Sequence, residues 1–370
     1  MGIVGSTLAI AADRTEARSA ASQDWPPFVL VAGLLLVGLV ADEGGLFAAA
    51  GRALARASSS GAVLFAGSVI LVSSVTSILN LDTSVAFLTP VLVYAARSRG
   101  GSEAPLLYGC LLLSNAASLL LPGSNLTNLI VLGHLHLSGG RFLVEVAPAW
   151  LVSVLVTAAV VAYAHRQVLR PSVTVDSTPM AGPERDRVGL GVAVVSVAAV
   201  SVVVLVLRAP ALPVAGIGLA AAGVRAARGP TSSTRVLDVL GIPVLVGLFG
   251  VALALGTLGR SWSGPTNALS HLDAWGTAAV AALASVVVNN LPAASLLAAR
   301  VPHRPFALLV GLDIGPNLFV TGSLAWILWL RAARNAGANP AVAKATRLGL
   351  VAAPLAMAGA LGALALAGTR

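Results

Sequence analysis

The sequence predicts an all-α polytopic membrane protein made of two inverted repeats, each with a re-entrant hairpin and a broken transmembrane helix. Three observations predict it. The 370 residues are 57% hydrophobic and only 10% charged, whereas a soluble domain normally carries about 25% charged residues. Apolar runs of roughly 18 to 20 residues, long enough to cross ~30 Å of hydrocarbon, recur along the chain. Two of these runs carry helix-breaking and polar residues in their middle, which indicates interrupted spans.

The first interrupted run extends from Leu113 to Gly133. Pro122 removes a backbone donor, and Gly123 tolerates torsion angles that other residues avoid. The polar residues that accompany this break are Ser124, Asn125, Thr127 and Asn128. Because an unpartnered polar group in hydrocarbon costs several kcal/mol, we expect these side chains to line a small substrate-binding cavity. The alternative is a kinked helix whose polar side chains only bridge to neighbouring helices.

A second interrupted run extends from Gly311 to Leu330 and corresponds to the first. Gly315-Pro316-Asn317-Leu318 aligns with Gly123-Ser124-Asn125-Leu126. Corresponding interruptions in two halves of a chain are the best sequence indication of a secondary-transporter binding site. We therefore predict that Asn317 and Thr321 belong to the same substrate-binding cavity, although Thr127, Asn128 and Thr321 can equally bond to carbonyls of their own helices.

The first half of the chain is predicted to run from a first span to a last span, with a hairpin and the broken helix between them. Its elements are a span at 28–40, an amphipathic interfacial helix at 44–60, hairpin arms at 62–79 and 85–96, the broken helix at 105–132 and a span at 146–164. The interfacial helix directs Arg52 and Arg56 towards lipid headgroups. The hairpin tip contains Asn80 and Thr83. A pair of full crossings is the alternative to this re-entrant hairpin.

The second half repeats that order with weak residue identity. Its elements are an antiparallel pair at 188–207 and 211–224, a span at 236–258, a polar stretch at 260–273, a hairpin at 274–300, the broken helix at 306–330 and a last span at 348–367. The hairpin tip is Asn289-Asn290-Leu291-Pro292, in which Pro292 stops the helix and Asn289 and Asn290 can serve backbone or substrate. The predicted divisions are an N-terminal tail (1–25), a first repeat (26–165), a cytoplasmic linker (166–187) and a second repeat (188–370).

Basic residues set the predicted topology. The formal net charge is +9, which in a soluble protein would suggest nucleic acid. Here the arginines lie in short loops between apolar runs, so the positive-inside rule explains them and no nucleic-acid partner is expected. If both flanks of the first hairpin are cytoplasmic, most Lys and Arg residues fall inside and the two hairpins enter from opposite sides. The chain is thus expected in the cell membrane, in contact with the lipid bilayer.

The motifs of several other protein classes are missing from the sequence. We find no Walker motif, no dinucleotide fingerprint and no His/Cys metal cluster, so we expect no cofactor, no bound metal and no enzymatic activity. His134 and His136 are interpreted as loop histidines. Cys110 is the only cysteine, which excludes a multi-thiolate site within one chain.

Two acidic residues are candidates for ion or proton coupling. Asp82 lies at the first hairpin tip and Asp313 lies just before the second break. Acidic residues within membrane segments are functional candidates by default, often for protons or cations. The alternative for both is a structural cap that accepts backbone N–H groups. From the sequence, Asp82 ranks first and Asp313 second.

Four segments together resemble the arsenite efflux permease family of the ion-transporter superfamily. They are Leu79 to Val93, Ser114 to Val131, Ser285 to Leu297 and Asp313 to Leu330. The resemblance implies export of arsenite or antimonite as the neutral hydroxide by proton antiport. Sodium/proton exchange and transport of a small carboxylate or another oxyanion are alternatives on the same scaffold, with protons or sodium as the coupling ion. The resemblance is also compatible with a cytoplasmic ATPase partner and with a homodimer.

Overall fold

The protein is represented by a computed structural model that describes residues 2–133, 135, 137–169, 187–228 and 233–368. Regular structure in these ranges is helical throughout. The first half contains α1 Gly2–Ala12, α2 Arg14–Glu43, α3 Leu46–Ala57, α4 Gly61–Ile78, α5 Leu81–Arg97, α6 Ala104–Ala117, α7 Leu126–Leu132 and α8 Gly139–Ala164. Counted over both halves, the described ranges contain six helices that are long and apolar enough to cross a membrane. The predicted all-helical, polytopic character is confirmed; the inverted relation of the repeats stays a prediction.

The second half contains ten helices in the part of the chain described. They are α9 Arg187–Val206, α10 Ala211–Arg228, α11 Ser233–Leu240, α12 Ile242–Ser261, α13 Gly264–Ser270, α14 Ala274–Val288, α15 Asn290–Leu297, α16 Pro305–Ile314, α17 Ala325–Asn335 and α18 Val342–Leu366. The predicted span at 236–258 is divided by Gly241, whose φ of +54° suits glycine. Residues 170–186 of the predicted linker, together with His134 and His136, lie outside the described residues.

Residues 2–24, for which we expected a tail, are helical except at Asp13. Asp13 caps α2 by accepting hydrogen bonds from the backbone N–H groups of Thr15 and Glu16, each at 3.0 Å. Helix α2 then continues through Pro26 and Pro27 into the predicted first span. Helix α1 packs on α12 and α2. The predicted interfacial segment is also helical, as α3.

Both predicted interruptions are present, but they differ in length. After α6, a 3₁₀ turn at Pro122–Ser124 is followed at once by α7, which Asn125 caps. After α16, a 3₁₀ turn at Gly315–Leu318 is followed by an irregular stretch, and α17 begins only at Ala325. Within the second interruption the chain folds back on itself, so that Gly322 packs on Pro316, where a Cβ would lie 2.5 Å from the Pro316 Cα.

The two predicted hairpins have tight tips. Helices α4 and α5 are joined at Asn80, whose side-chain oxygen accepts a hydrogen bond from the Thr83 backbone at 2.6 Å. Helices α14 and α15 are joined at Asn289, which has φ +77° and is the one non-glycine residue with positive φ among those described. Such a backbone conformation costs roughly 1–3 kcal/mol and often marks functional segments. Whether either hairpin is re-entrant stays a prediction.

Close helix packing surrounds these interrupted segments. Helix α2 packs on α10, α8 packs on α18, α14 packs on α16 and α5 packs on α17. The α2–α10 contact brings two backbones together, because a Cβ on Gly218 would lie 2.5 Å from the carbonyl oxygen of Gly33. Small residues that allow such close approach are typical of membrane helix interfaces.

This contact predicts different outcomes for two glycines of α10. The Gly218→Ala substitution should destabilise the protein by about 1–3 kcal/mol, because the rigid α2 backbone cannot move away from the new methyl group. The Gly216→Ala substitution, where nothing lies within 4 Å, should be neutral or stabilise by a few tenths of a kcal/mol. Thermal unfolding in detergent measures both. Equal midpoints for the two variants would contradict the packing described here.

Candidate functional site

The broken end of α6 is satisfied by donors from several helices. A helix end leaves about four carbonyl groups without helical partners. Here the Ser153 hydroxyl donates to the carbonyl of Ala116 at 3.2 Å, and the Trp150 indole N–H donates to that of Ala117, also at 3.2 Å. Ser77 donates a second hydrogen bond to the Ala117 carbonyl at 3.2 Å. Side chains of α4 and α8 thus make the break tolerable inside an apolar bundle.

Two of the predicted substrate-binding residues contribute to the same capping. The Asn128 side-chain amide donates to the carbonyls of Ser118 and Leu121 at 2.8 and 3.0 Å. The Ser124 hydroxyl donates to the same two carbonyls. Both side chains are fully buried. Their donors therefore bond within the interrupted run itself and hold the first break in shape, whereas the alternative considered from the sequence was bridging to neighbouring helices. Oδ1 of Asn128 has no partner within the described part of the chain.

Asp313 connects the two breaks directly. Its Oδ1 accepts hydrogen bonds from the Thr127 hydroxyl at 2.5 Å and from the Asn125 side-chain amide at 2.9 Å. The other oxygen, Oδ2, has no hydrogen-bond partner among the described residues, and the side chain is fully buried. Asn125 also donates to the Ser118 hydroxyl at 3.1 Å. A desolvated carboxyl group with one unbonded oxygen thus lies where the end of α16 meets the start of α7.

A second contact joins the interruptions through two asparagines. The Asn115 side-chain amide donates to Oδ1 of Asn317 at 3.0 Å, and the Asn317 amide donates to the carbonyl of Leu112 at 2.9 Å. The Ser323 hydroxyl donates to Oδ1 of Asn115 at 3.2 Å. The buried Trp326 indole N–H donates to the carbonyl of Pro316 at 2.9 Å. The second break is thereby fastened to α6, the helix interrupted by the first break.

The second hairpin tip binds the irregular stretch after the second break. The backbone N–H of Asn290, a buried residue, donates to the carbonyl of Gly322 at 2.9 Å. The Asn289 amide donates to the carbonyl of Thr321 at 3.4 Å, and the Thr321 hydroxyl donates to that of Val286 at 2.5 Å. Thr321 is exposed and Asn289 is half-buried. These two predicted binding residues thus lie at the rim of the bundle, and the structure does not bring them to Asp313.

The first hairpin tip contacts α6, and among the described residues no hydrogen bond joins it to Asp313. Its Ser84 hydroxyl lies 3.4 Å from that of Ser114 on α6. Asn80 and Thr83 are buried, while Asp82 is half-buried, and its Oδ1 has no hydrogen-bond partner among the residues described. Pro292 is buried in the first turn of α15, as a residue of the second tip.

A cavity of about 730 Å³ adjoins the first break. Its wall is mainly apolar and includes Pro122, and it also carries polar or charged side chains from α2, α12 and the α9–α10 turn: Ser19, Ser22, Gln23, Arg208 and Arg260. The breaks, whose polar residues were predicted to share one cavity, therefore adjoin two separate features. One is a close-packed polar junction at Asp313, and the other is an adjacent cavity on the far side of α7.

Asn115 is the main residue at the junction that the sequence interpretation did not single out. It lies in an apolar run, and its only local signal is the polar pair Ser114-Asn115 before the break. Trp150 and Ser153 were also missed as capping donors, because their partners are brought to them only by tertiary packing.

Comparisons with known proteins identify the family. The profile described as citrate transporter, CitMHS, matches residues 2–305. An arsenical pump membrane protein of Escherichia coli is 24% identical in an alignment of 340 residues that covers 83% of this chain and 78% of that protein. The protein of the same description from Yersinia enterocolitica is 23% identical over 337 residues, with the same coverage.

A solved structure shares the fold. The YdaH transporter of Alcanivorax borkumensis, described as having an unusual topology, superposes with a TM-score of 0.52 at 14% identity, over 97% of this chain and 89% of that one. The matching family profile, the apolar helices and this shared fold confirm the predicted relationship to ion transporters and the expected place in the membrane. The chain is a multi-pass integral membrane transporter that belongs to the citrate transporter (CitMHS) family.

Proposed function

We propose that this transporter exports trivalent arsenic or antimony as the neutral trihydroxide, driven by inward proton movement. The observation that carries the proposal is the Asp313 carboxyl group, which joins the two helix breaks and keeps one oxygen free of described partners. The relatives named arsenical pump membrane protein support the choice of substrate.

The chemistry of the junction suits a small neutral polyol. Its side chains are amides and hydroxyls, chiefly those of Asn125, Thr127 and Asn317, which can donate and accept hydrogen bonds without a fixed positive charge. Trivalent arsenic can otherwise be held by about three thiolates. The single cysteine, Cys110, is buried and bonded to Thr89 at 3.5 Å, so recognition through hydroxyl groups is the mode open to one chain.

The contacts support Asp313 ahead of Asp82 as the coupling acid. Movement of Asp313 changes hydrogen bonds to both Asn125 and Thr127, so a proton on this carboxyl group alters the contact between the halves. Asp82 lies beside the first tip, with no described bond to either break. Protons are proposed as the coupling ion, and sodium is the alternative on the same carboxyl group.

Transport of a small carboxylate is the second candidate. The family description as citrate transporter favours it, and Arg208 and Arg260 line the cavity beside the first break. Fixed positive charge is what a carboxylate needs. These arginines are not among the hydrogen-bond partners of the junction itself, which keeps the neutral substrate in first place.

Expression in a host that lacks its own arsenite pump tests the substrate. The wild-type protein should raise arsenite and antimonite resistance, and everted vesicles should accumulate arsenite when a pH gradient is imposed. Citrate uptake without arsenite uptake would select the second candidate. Neither activity, with the protein confirmed in the membrane, would refute both and direct attention to sodium/proton exchange.

Neutralising the two acids separately tests the coupling role. The Asp313→Asn substitution should reduce pH-driven uptake to the level of vesicles without transporter, because an amide cannot carry the proton. The Asp82→Asn substitution should retain uptake with its pH dependence. Uptake is measured across a series of imposed pH gradients, and detergent-solubilised yield controls for folding. The reverse ranking would return the coupling role to Asp82, as the sequence had suggested.

A glycine behind the second break offers a test that leaves every polar side chain in place. A Cβ on Gly349 of α18 would collide with the carbonyl oxygen of Asn317. The Gly349→Ala substitution should therefore displace the break. We expect it to remove most of the transport activity while it changes the midpoint of thermal unfolding only modestly. The matched control is Gly362→Ala on the same helix, where nothing lies within 4 Å; it should transport as the wild type does. Equal transport by the two variants would show that this position of the break is unimportant.

A further inference from the structure

Helix α7 separates the cavity beside the first break from the polar junction. Leu129 and Leu132 line the cavity, whereas Thr127 of the same short helix is fully buried and bonds to Asp313. Helix α7 also packs on α15, the helix that begins at the second hairpin tip. The seam between α7 and α15 therefore runs along the helix that separates the cavity from the junction.

Gln23 of α2 closes this seam. Its side-chain amide nitrogen donates to the carbonyl of Ile130 on α7 at 3.1 Å and to that of Ala298, at the end of α15, at 3.2 Å. One side chain thus bonds the C-terminal ends of two half-helices that come from different halves of the chain. Because Gln23 also lines the cavity, it lies at the boundary between the open space and the seam.

Charged residues hold Gln23 in that orientation. The Arg260 guanidinium donates to the side-chain oxygen of Gln23 and, at 3.1 Å, to the carbonyl of Gly256 in its own helix. Asp24 is only 1% exposed and faces the same part of α12, since a Cβ on Gly256 would lie 3.3 Å from Arg260 Nη1 and 3.6 Å from Asp24 Oδ2. The carboxylate of Asp24 favours the positive charge of Arg260 at this place, where the guanidinium donates to the side-chain oxygen of Gln23. The amide nitrogen of Gln23 is therefore directed across the seam.

Two prolines weaken the backbone at this point. Pro26 and Pro27 lie inside α2 and also line the cavity. Neither can donate to the carbonyl four residues earlier, so the carbonyls of Ser22 and Gln23 lose their helical donors. Helix kinks concentrate at such positions. The segment of α2 that carries Gln23 can thus tilt with less loss of hydrogen bonding than a regular helix.

We propose that the cavity is the solute-access path of the transporter and that the α7–α15 seam, closed by Gln23 on the support of Arg260, is the gate to the junction at Asp313. The bias of basic residues places Arg208 and Arg260 outside, so this path opens to the exterior. The inference requires that the protein transport a small polar solute, but it does not depend on which solute.

Cysteine labelling tests the gate without any substrate. In a cysteine-free Cys110→Ala background, Leu129→Cys reports on the cavity and Thr127→Cys reports on the junction. Thr127 is fully buried and bonds to Asp313 on the other side of α7. A membrane-impermeant maleimide applied to intact cells should label Leu129→Cys quickly and Thr127→Cys slowly. Adding Gln23→Met, which preserves volume and removes the hydrogen bonds, should raise labelling of Thr127→Cys at least about tenfold, which corresponds to the loss of ~1.4 kcal/mol of closure.

Matched variants distinguish a gate from general loosening. Ser22→Ala is the control, because Ser22 lines the same cavity and its hydroxyl bonds to the carbonyl of Ser19 in its own helix; it should leave labelling of Thr127→Cys unchanged. Gln23→Glu keeps the shape and the acceptor for Arg260 but removes the donors to α7 and α15. It should open the seam as Gln23→Met does, and it serves if the Met variant does not fold. Unchanged labelling of Thr127→Cys in a folded Gln23 variant, or no labelling of Leu129→Cys from the outside, would overturn the proposal.

Discussion

Satisfaction of the carbonyl groups at the broken end of α6 is the constraint on which the rest of the structure depends. Hydrocarbon offers these groups no water, so a helix can end there only where other side chains donate to it. The donors are Trp150 and Ser153 of α8 and Ser77 of α4, and their hydrogen bonds hold both helices against the broken end of α6. The first break therefore fixes the positions of three helices at once. Ser124 and Asn128 complete the capping from inside the break, and Asn125 and Thr127 contact Asp313.

The contact at Asp313 turns two local interruptions into one site. Asn125 and Asp313 lie 188 residues apart in the chain, and the Asn115–Asn317 pair makes a parallel connection nearby. Displacement of either break must therefore break or remake hydrogen bonds to the other. Coupling between two elements in a transporter requires a differential interaction of this kind, because a ligand or proton shifts a conformational equilibrium only by its unequal affinity for the two states.

The helical class and the two breaks could be predicted from the sequence, because proline, glycine and asparagine within apolar runs act locally. Asn125 and Asp313 became candidate site residues for a similar reason, because a polar side chain within an apolar run can be recognised in the sequence itself. The roles of Ser124 and Asn128 could not be predicted, since either side chain can serve substrate or backbone until the geometry of the broken end is known. Asn115 was missed because the polar pair Ser114-Asn115 is a weak signal within an apolar run. The fold-back that packs Gly322 on Pro316 could not be predicted either, because no periodicity encodes it.

The unequal lengths of the two interruptions have a consequence for the energetics of a transport cycle. In the first interruption, α7 begins directly after its capping residue, Asn125. In the second, the chain stays irregular after the 3₁₀ turn until α17 begins at Ala325. If the halves exchange roles during the cycle, the exchanged conformation cannot be the mirror image of the starting one. The two access states then differ in free energy even when no solute or proton gradient exists. Such a difference sets unequal resting populations, so the same solute will show unequal apparent affinities from the two faces of the membrane.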